Sequence, residues 1–232
     1  MLTATFWGFV GGMALVLGAV LGIYLDIRSR TIGMFMAFGA GVLISAICFE
    51  LLDESARSGH LDTLGIGMVL GALTFFLGDR VLDQRGGKHR KRSGGQQADG
   101  KPEAIVLGAL LDGIPESAAI GVSLLGGNQV SAAVVAAVFL SNVPESMSAA
   151  TGLQKAGHSD RWILGLWAAV AAVSAAASGL GYLTLGGASP DLVAGIEAFA
   201  AGAILTMLAD TMMPEAFEEG GSLVGRSPCP AS

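Results

Sequence analysis

The chain has 232 residues, of which 52% are apolar and only 14% are charged, and its formal net charge is −6. Soluble domains carry about 25% charged residues, so this composition excludes an ordinary soluble protein and favours a bundle of membrane helices surrounded by lipid, with no nucleic-acid partner. The two cysteines, Cys48 and Cys229, provide no disulfide framework and no metal-ligand spacing.

Seven apolar runs follow one another along the chain, and each is long enough to span a bilayer. The first lacks the basic start and the small-residue cleavage site of a signal peptide, so we interpret it as a membrane helix. We therefore predict an all-α fold in a single membrane domain over 1–232, with helices at 2–25, 31–53, 61–82, 102–125, 129–153, 162–185 and 191–214.

Glycines spaced four residues apart recur in the first and third of these helices. This spacing places small residues on one helix face, which allows membrane helices to approach closely. The pattern is weak evidence in a chain with 35 glycines, and it occurs at Gly8-x-x-x-Gly12, Gly18-x-x-x-Gly22 and Gly67-x-x-x-Gly71.

The loops carry most of the charge. A flexible basic loop is predicted over 83–102 and a Gly-rich tail over 215–232, and we interpret the basic run from Lys88 to Arg92 as a topology anchor. If the helices alternate in direction, 12 of the 13 Lys and Arg lie on the side of this loop, and only Arg57 lies on the other side. We therefore expect a multi-pass protein of the plasma (inner) membrane with its N-terminus outside and the basic loop in the cytoplasm.

A proline-glutamate motif occurs in both the fourth and the fifth predicted helix. A shift of 29 positions aligns Pro115-Glu116-Ser117 with Pro144-Glu145-Ser146. A carboxylate in the middle of a membrane helix costs roughly 2.5–3.5 kcal/mol, and no Lys or Arg lies near these motifs in the sequence. We therefore expect the acids to be neutralised either by protons or by a bound cation.

The residues around the two glutamates form a candidate metal site. Asp112 and Glu116 are four residues apart and share a helix face. Ser141 and Asn142 lie on the same side of the fifth helix as Glu145. Each proline also frees a backbone carbonyl from its helical partner, and a set of oxygen donors of this kind suits a divalent cation.

A second repeat relates the second helix to the seventh. A shift of 161 positions aligns several identical residues: Phe38 with Phe199, Gly41 with Gly202, and Glu54 with Glu215. An odd number of membrane crossings separates the copies, so they run in opposite directions. Helices 1–3 and 6–7 would then form an inverted repeat around helices 4 and 5, as in secondary transporters.

Two further acids, Glu50 and Asp210, lie toward one end of the repeated helices. They are candidates for lining an entry or exit path, and the alternative is that they only cap the helices near the interface.

The paired motif, the basic loop and the helix-two/helix-seven repeat together resemble the ZIP (Zrt/Irt-like) family of divalent metal transporters. The resemblance implies a mid-membrane metal site in which Asp112 replaces a family histidine, Ser141 stands where a histidine is frequent, and Glu116, Asn142 and Glu145 match ligand positions. It implies zinc as the transported cation, with iron or manganese as alternatives, and no cofactor.

The chain departs from the family pattern in two ways, which concern the number of bound metals and the number of helices. The sixth helix lacks the carboxylate that the family often has there, so one bound metal is expected rather than two. The family has eight helices and this chain has seven. Either the chain is cut short, or a partner subunit, as in a homodimer, covers the gap.

Two other functions remain open from the residues alone. In the first, a proton-coupled carrier of an organic solute, Glu116 and Glu145 would only cycle protons. In the second, a non-transporting membrane scaffold, the acids would bind helices together. An enzyme is not expected, because the chain has no Ser/His/Asp set, no His-Glu-x-x-His motif and no phosphate loop.

Overall fold

The computed structural model describes residues 1–58, 60–87, 90–95, 102–125 and 131–221, and within these ranges it contains no strands. Within the same ranges seven helices are long and apolar enough to cross a membrane. The predicted all-α membrane bundle is therefore confirmed. The helices are α1 Leu2–Tyr24, α2 Ser29–Leu52, α3 Leu61–Gly87, α4 Pro102–Ser123, α5 Ala132–Lys155, α6 Asp160–Leu185 and α7 Pro190–Gly220.

Serine side chains determine where α5, α6 and α7 begin. The hydroxyls of Ser131, Ser159 and Ser189 each accept a hydrogen bond of 3.3 Å from the backbone N–H three residues later. This is the standard way to satisfy the free N–H groups of a first helical turn. Pro190 directly follows its serine, at a position where the missing N–H costs nothing.

The α1 helix lies between α5 and α6 and packs against both through glycines. A Cβ atom on Gly12 would lie 2.8 Å from the Cα of Ala171 in α6, and a Cβ on Gly18 would overlap the carbonyl of Val143 in α5. The Gly-x-x-x-Gly spacing of the sequence therefore marks two contact faces on one helix.

The α3 helix packs against α7 in the same manner. A Cβ on Gly67 would overlap the carbonyl of Gly195, and a Cβ on Gly71 would overlap the carbonyl of Phe199. The outer face of α3, with Ile66 as an example, is exposed, as expected for a helix that faces lipid.

The fourth helix, α4, packs mainly against α6 and α7 and touches its chain neighbour α5 only slightly. The α5 helix is held instead by α1 and α2. The two helices with the proline-glutamate motifs therefore make few contacts with one another, and each is held mainly by other helices.

Two π-helical segments support the inverted repeat. Ile47–Leu52 forms the last part of α2 and is followed directly by a short α-helical stretch, Asp53–Ser58, and Leu208–Met212 interrupts α7. They begin 161 positions apart, which is the shift found in the sequence. Glu50 lies in the first segment and Asp210 in the second. Such wide turns are rare in helices and are frequent at functional sites.

The predicted end of α7 is wrong. The sequence placed the end of this helix near Pro214 and a Gly-rich tail over 215–232, but the helix continues through Met213–Gly220. The π-helical segment just before Pro214 places this proline in the first turn of the last helical stretch, where no N–H is needed. The residues from 222 onward lie outside the described ranges.

The close contact between α3 and α7 predicts different effects for two glycines of α3. Gly71→Ala is expected to lower the free energy of unfolding by about 1–3 kcal/mol, because the new methyl group forces the helices apart. Gly65→Ala is the matched control, since a Cβ there would have nothing within 4 Å. It is expected to be neutral or stabilising by about 0.5–1 kcal/mol. Thermal unfolding in detergent measures both, and equal effects would contradict the close packing of α3 on α7.

Candidate functional site

The two proline-glutamate motifs have the same local structure. The hydroxyl of Ser117 donates to the carbonyl of Gly113 at 2.6 Å, and the hydroxyl of Ser146 donates to the carbonyl of Asn142 at 2.7 Å. Each hydrogen bond lies beside a proline that is inside a continuous helix. The repeat of 29 residues is therefore a repeat of structure as well as of sequence.

Among the described residues, five carboxylates lie buried in the space between α3, α4, α5 and α7. We call this group the acidic cluster. Each member is at least nine-tenths buried, and Glu116 interacts electrostatically with Glu145 and Asp112 across the space. The members of the cluster are Asp79, Asp112, Glu116, Glu145 and Glu215.

A lysine from the basic loop lies at the centre of this cluster. The ammonium nitrogen of Lys91 is 3.1 Å from Oδ2 of Asp112 and 3.0 Å from Oε1 of Glu145. It also donates a hydrogen bond of 3.3 Å to the hydroxyl of Thr211. The contact with Asp112 is an ion pair without hydrogen-bond geometry.

The charge of Lys91 is stable in this position. Burial by itself would lower the pKa of the ammonium group, but the carboxylates of Asp112 and Glu145 outweigh it and raise the pKa above its ordinary value. Lys91 is therefore protonated at neutral pH and acts as a full positive charge.

A second basic residue supports the same cluster from one side. The guanidinium of Arg90 donates to Asp79, lies 3.5 Å from Asp112, and has Asp83 at 3.9 Å. Arg90 and Lys91 therefore share Asp112 and bring two positive charges into the interior.

These contacts correct two expectations from the sequence. The acids of α4 and α5 do have basic partners, although these are distant in sequence. The basic loop predicted over 83–102 is not simply a solvated topology anchor, because its first part, Asp83–Gly87, is helical and Arg90, Lys91 and Ser93 are buried. Lys88 and His89 lie outside the described residues.

The segment over 90–95 is also attached at its outer end. Arg92 pairs with Glu218 at 2.9 Å. The backbone N–H of Ser93 donates to Glu219 at 2.8 Å, and Lys155 donates to the carbonyl of Ser93 at 2.9 Å. The segment is therefore held between the ends of α5 and α7, with its two buried basic side chains reaching inward.

In the described part of the chain, four carboxylates of the cluster keep an oxygen without a hydrogen-bond donor, and only that of Asp112, Oδ2, has an ion-pair partner, Lys91. Among the described residues, Oε1 of Glu116, Oε2 of Glu145 and Oε2 of Glu215 are buried and accept no hydrogen bond. Within the same part of the chain, five acids surround two basic residues, so part of the cluster must be neutralised either by protons or by a further cation. Unpaired buried charge of this kind is strongly unfavourable.

The other predicted ligands differ in how they are placed. The amide of Asn142 hydrogen-bonds to Glu116 and donates to the carbonyl of Gly11 at 3.3 Å, so it belongs to the site. The hydroxyl of Ser141 donates to the backbone carbonyl of Val138 in its own helix at 3.0 Å, so its proton is directed at the helix and not at the acids.

The carbonyl freed by Pro144 does not face the acids. This carbonyl belongs to Leu140, and it lies against Gly39 of α2, where an added Cβ would be only 2.9 Å from the oxygen. The expectation that this oxygen could bind a cation is therefore not supported by its position.

Glu50 and Asp210 lie outside the centre of the cluster. Glu50 accepts a hydrogen bond of 2.8 Å from Ser131 at the start of α5. Asp210 hydrogen-bonds to Asp79 and so lies next to the acidic cluster. Because consecutive helices alternate in direction, the two acids lie toward opposite ends of the bundle, each beside a surface hollow lined mostly by apolar residues.

Sequence reasoning missed several members of the site. Glu215 had a signal, because it is the repeat partner of Glu54, but it was assigned to the tail. Asp79 also had a signal, as an acid near the end of an apolar run. Arg90 and Lys91 had none, since nothing local distinguishes them from the other basic residues of the loop.

The arrangement around Lys91 leaves little free space. The cavity beside its side chain measures about 10 Å³ and is also lined by Arg90, Asp112, Glu145 and Trp167. That volume is about the minimum for one water molecule. Within the described ranges, no three His, Cys, Asp or Glu side chains converge in a way that could hold a metal ion.

No family model matches the sequence. A curated protein of Arabidopsis thaliana named "Putative zinc transporter" is 26% identical to it over 206 residues. The alignment covers 88% of this chain and 33% of the relative, so the chain spans about one third of the relative's length. The seven apolar helices of the described residues support a multi-pass membrane protein.

The ion pairs of Lys91 predict a coupling between this residue and Glu145. In chelator-treated protein, Lys91→Met is expected to lower the free energy of unfolding by about 3–5 kcal/mol, because it leaves buried carboxylates without their partner. The double variant with Glu145→Gln is expected to lose less than the sum of the two single losses. Thermal unfolding in detergent of the native chain, the two single variants and the double variant measures the coupling free energy between Lys91 and Glu145.

The control for this cycle is the exposed pair of Arg57 and Asp53, which are 2.9 Å apart. Arg57→Met and Asp53→Asn are expected to show a coupling below about 0.5 kcal/mol. Additive losses at Lys91 and Glu145 would contradict the buried ion pair.

Proposed function

We propose that this protein transports divalent metal cations across the membrane through the acidic cluster, with zinc as the first candidate and iron or manganese as alternatives. One observation carries the proposal: in the described part of the chain, five buried carboxylates surround only two basic side chains, and three of them keep an unpaired oxygen. Because these acids outnumber their basic partners, a doubly charged ion that displaces their protons can supply the neutralisation that Arg90 and Lys91 do not.

The chemistry of the site supports an oxygen-bound cation. The proposed ligands are the carboxylates of Asp112, Glu116 and Glu145 and the amide of Asn142, with Ser141 beside them. Carboxylate and carbonyl oxygens suit manganese and iron, and zinc also accepts carboxylates. Zinc stays first because of the family resemblance and because the Arabidopsis relative is named as a zinc transporter.

The inverted repeat supports alternating access as the mechanism. The acidic cluster lies between α4 and α5, which are flanked by α2 and α7 and their matching π-helical segments. Movement of one helix set against the other would expose the cluster first to one face of the membrane and then to the other. We propose import toward the cytoplasm, with the basic loop on that side.

The cavity beside Lys91 is too small for an organic solute, and the two larger hollows lie at the surface beside Asp210 and Glu50. A carrier of such a solute needs a chamber of several hundred cubic ångströms, whereas the cavity beside Lys91 measures about 10 Å³. The scaffold alternative is favoured by the ion pairs of Arg90 and Lys91, which join α3, α4 and α5. These two alternatives predict no metal flux.

Zinc uptake into proteoliposomes that contain the purified chain tests the proposal. Glu116→Gln and Glu145→Gln are each expected to reduce uptake at least tenfold, because each removes a charged ligand from the site. Asp62→Asn is the matched control, since Asp62 is an exposed acid at the start of α3 and far from the cluster.

The same assay separates the alternatives. Uptake that is unchanged in both glutamine variants, or absent in the native chain under every gradient of zinc, manganese and iron, would contradict metal transport.

A further inference from the structure

We propose that Lys91 is a tethered cation that occupies the metal position in the resting protein, and that a metal ion must displace it to load the acidic cluster. This inference rests on the proposed function, because it assigns a regulatory role to a residue of the same site.

The ammonium group of Lys91 lies between two of the proposed metal ligands. Its nitrogen is 3.1 Å from Asp112 and 3.0 Å from Glu145, which lie on different helices and are both proposed ligands. A lysine ammonium is a compact point charge with three donors, and Thr211 accepts from it as the third partner. Lys91 therefore satisfies the same oxygens that a cation would use.

Lys91 and a metal ion exclude one another. Zinc binds carboxylate oxygens at about 2.0–2.2 Å, so Asp112 and Glu145 would have to close around the ion. The cavity beside the ammonium group, at about 10 Å³, offers no room for a second cation with its ligands. The positive charges of Lys91 and the metal ion also repel one another, which further disfavours binding of both at once.

The contacts of the segment over 90–95 with the protein surface are weak enough for the side chain of Lys91 to leave the acidic cluster. Arg92 and Glu218 are 28% and 55% exposed, and exposed ion pairs typically contribute about 0–1 kcal/mol. Ser93 keeps its own hydrogen bonds to Glu219 and Lys155, so it is the inner part of the segment that is held mainly by the side chains of Arg90 and Lys91. A doubly charged ion that takes over the carboxylates removes the main attraction that keeps Lys91 inside.

Zinc titration of the purified full chain tests this inference. Lys91→Met is expected to bind zinc about tenfold more tightly than the native chain if the tethered cation holds the site about nine tenths of the time. Arg85→Met is the matched control, because it removes one charge from the same loop at an exposed position, and its affinity is expected to stay unchanged.

Glu145→Gln separates the inference from the proposed function. If zinc binds the native chain and this variant abolishes binding, while Lys91→Met binds no more tightly than the native chain, the tethered cation is overturned and the metal site stands. If no variant shows binding that depends on Glu145, both proposals fail.

A measurement on the native chain avoids any folding defect of the variant. Hydrogen–deuterium exchange of the backbone over 90–95 is expected to speed up at saturating zinc, because Lys91 leaves the cluster and the segment loses its inner attachment. Exchange that stays the same or slows at saturating zinc would overturn the inference.

Discussion

The ammonium group of Lys91, placed between Asp112 and Glu145, is the interaction on which the structure of the interior depends. Ionised carboxylates from separate helices repel one another in an apolar environment, so helices that carry them assemble only when positive charge or protons neutralise them. Lys91 and Arg90 supply part of that charge from a loop. Among the described residues, two basic side chains cannot neutralise five acids, and the proposed function assigns the remaining neutralisation to a transported cation.

The fold provides a space in which such an exchange of charge can take place. Glycines of α1 and α3 bring helices into close contact at the sides of the bundle, whereas α4 and α5, which carry the glutamates, make few contacts with one another. Proline and serine give the two motifs the same local structure, and the π-helical segments of α2 and α7 repeat on either side of them. Rigid packing therefore surrounds a polar centre that is held mainly by electrostatic attraction.

Most of the fold was predictable from the sequence, because each helix leaves a local signal of about 20 apolar residues and each repeat can be found by alignment. The π-helical segments could not be predicted, because the apolar pattern around Glu50 and Asp210 fits an α-helix as well as a π-helix. Lys91 was missed for a different reason. Its partners lie 21 and 54 positions away, and a basic run beside a membrane helix normally remains in water. The end of α7 was misplaced because the residues after Pro214 continue the helix without continuing the apolar run.

The most direct test is the reactivity of Lys91 in chelator-treated protein. Brief treatment with an amine-acetylating reagent, followed by mass spectrometry, compares the acetylation rate of Lys91 with that of Lys155, which is exposed. Because Lys91 is buried and the neighbouring carboxylates raise its pKa, its acetylation is expected to be at least tenfold slower. Equal acetylation of the two lysines would show that Lys91 lies in water and would contradict its position at the centre of the acidic cluster.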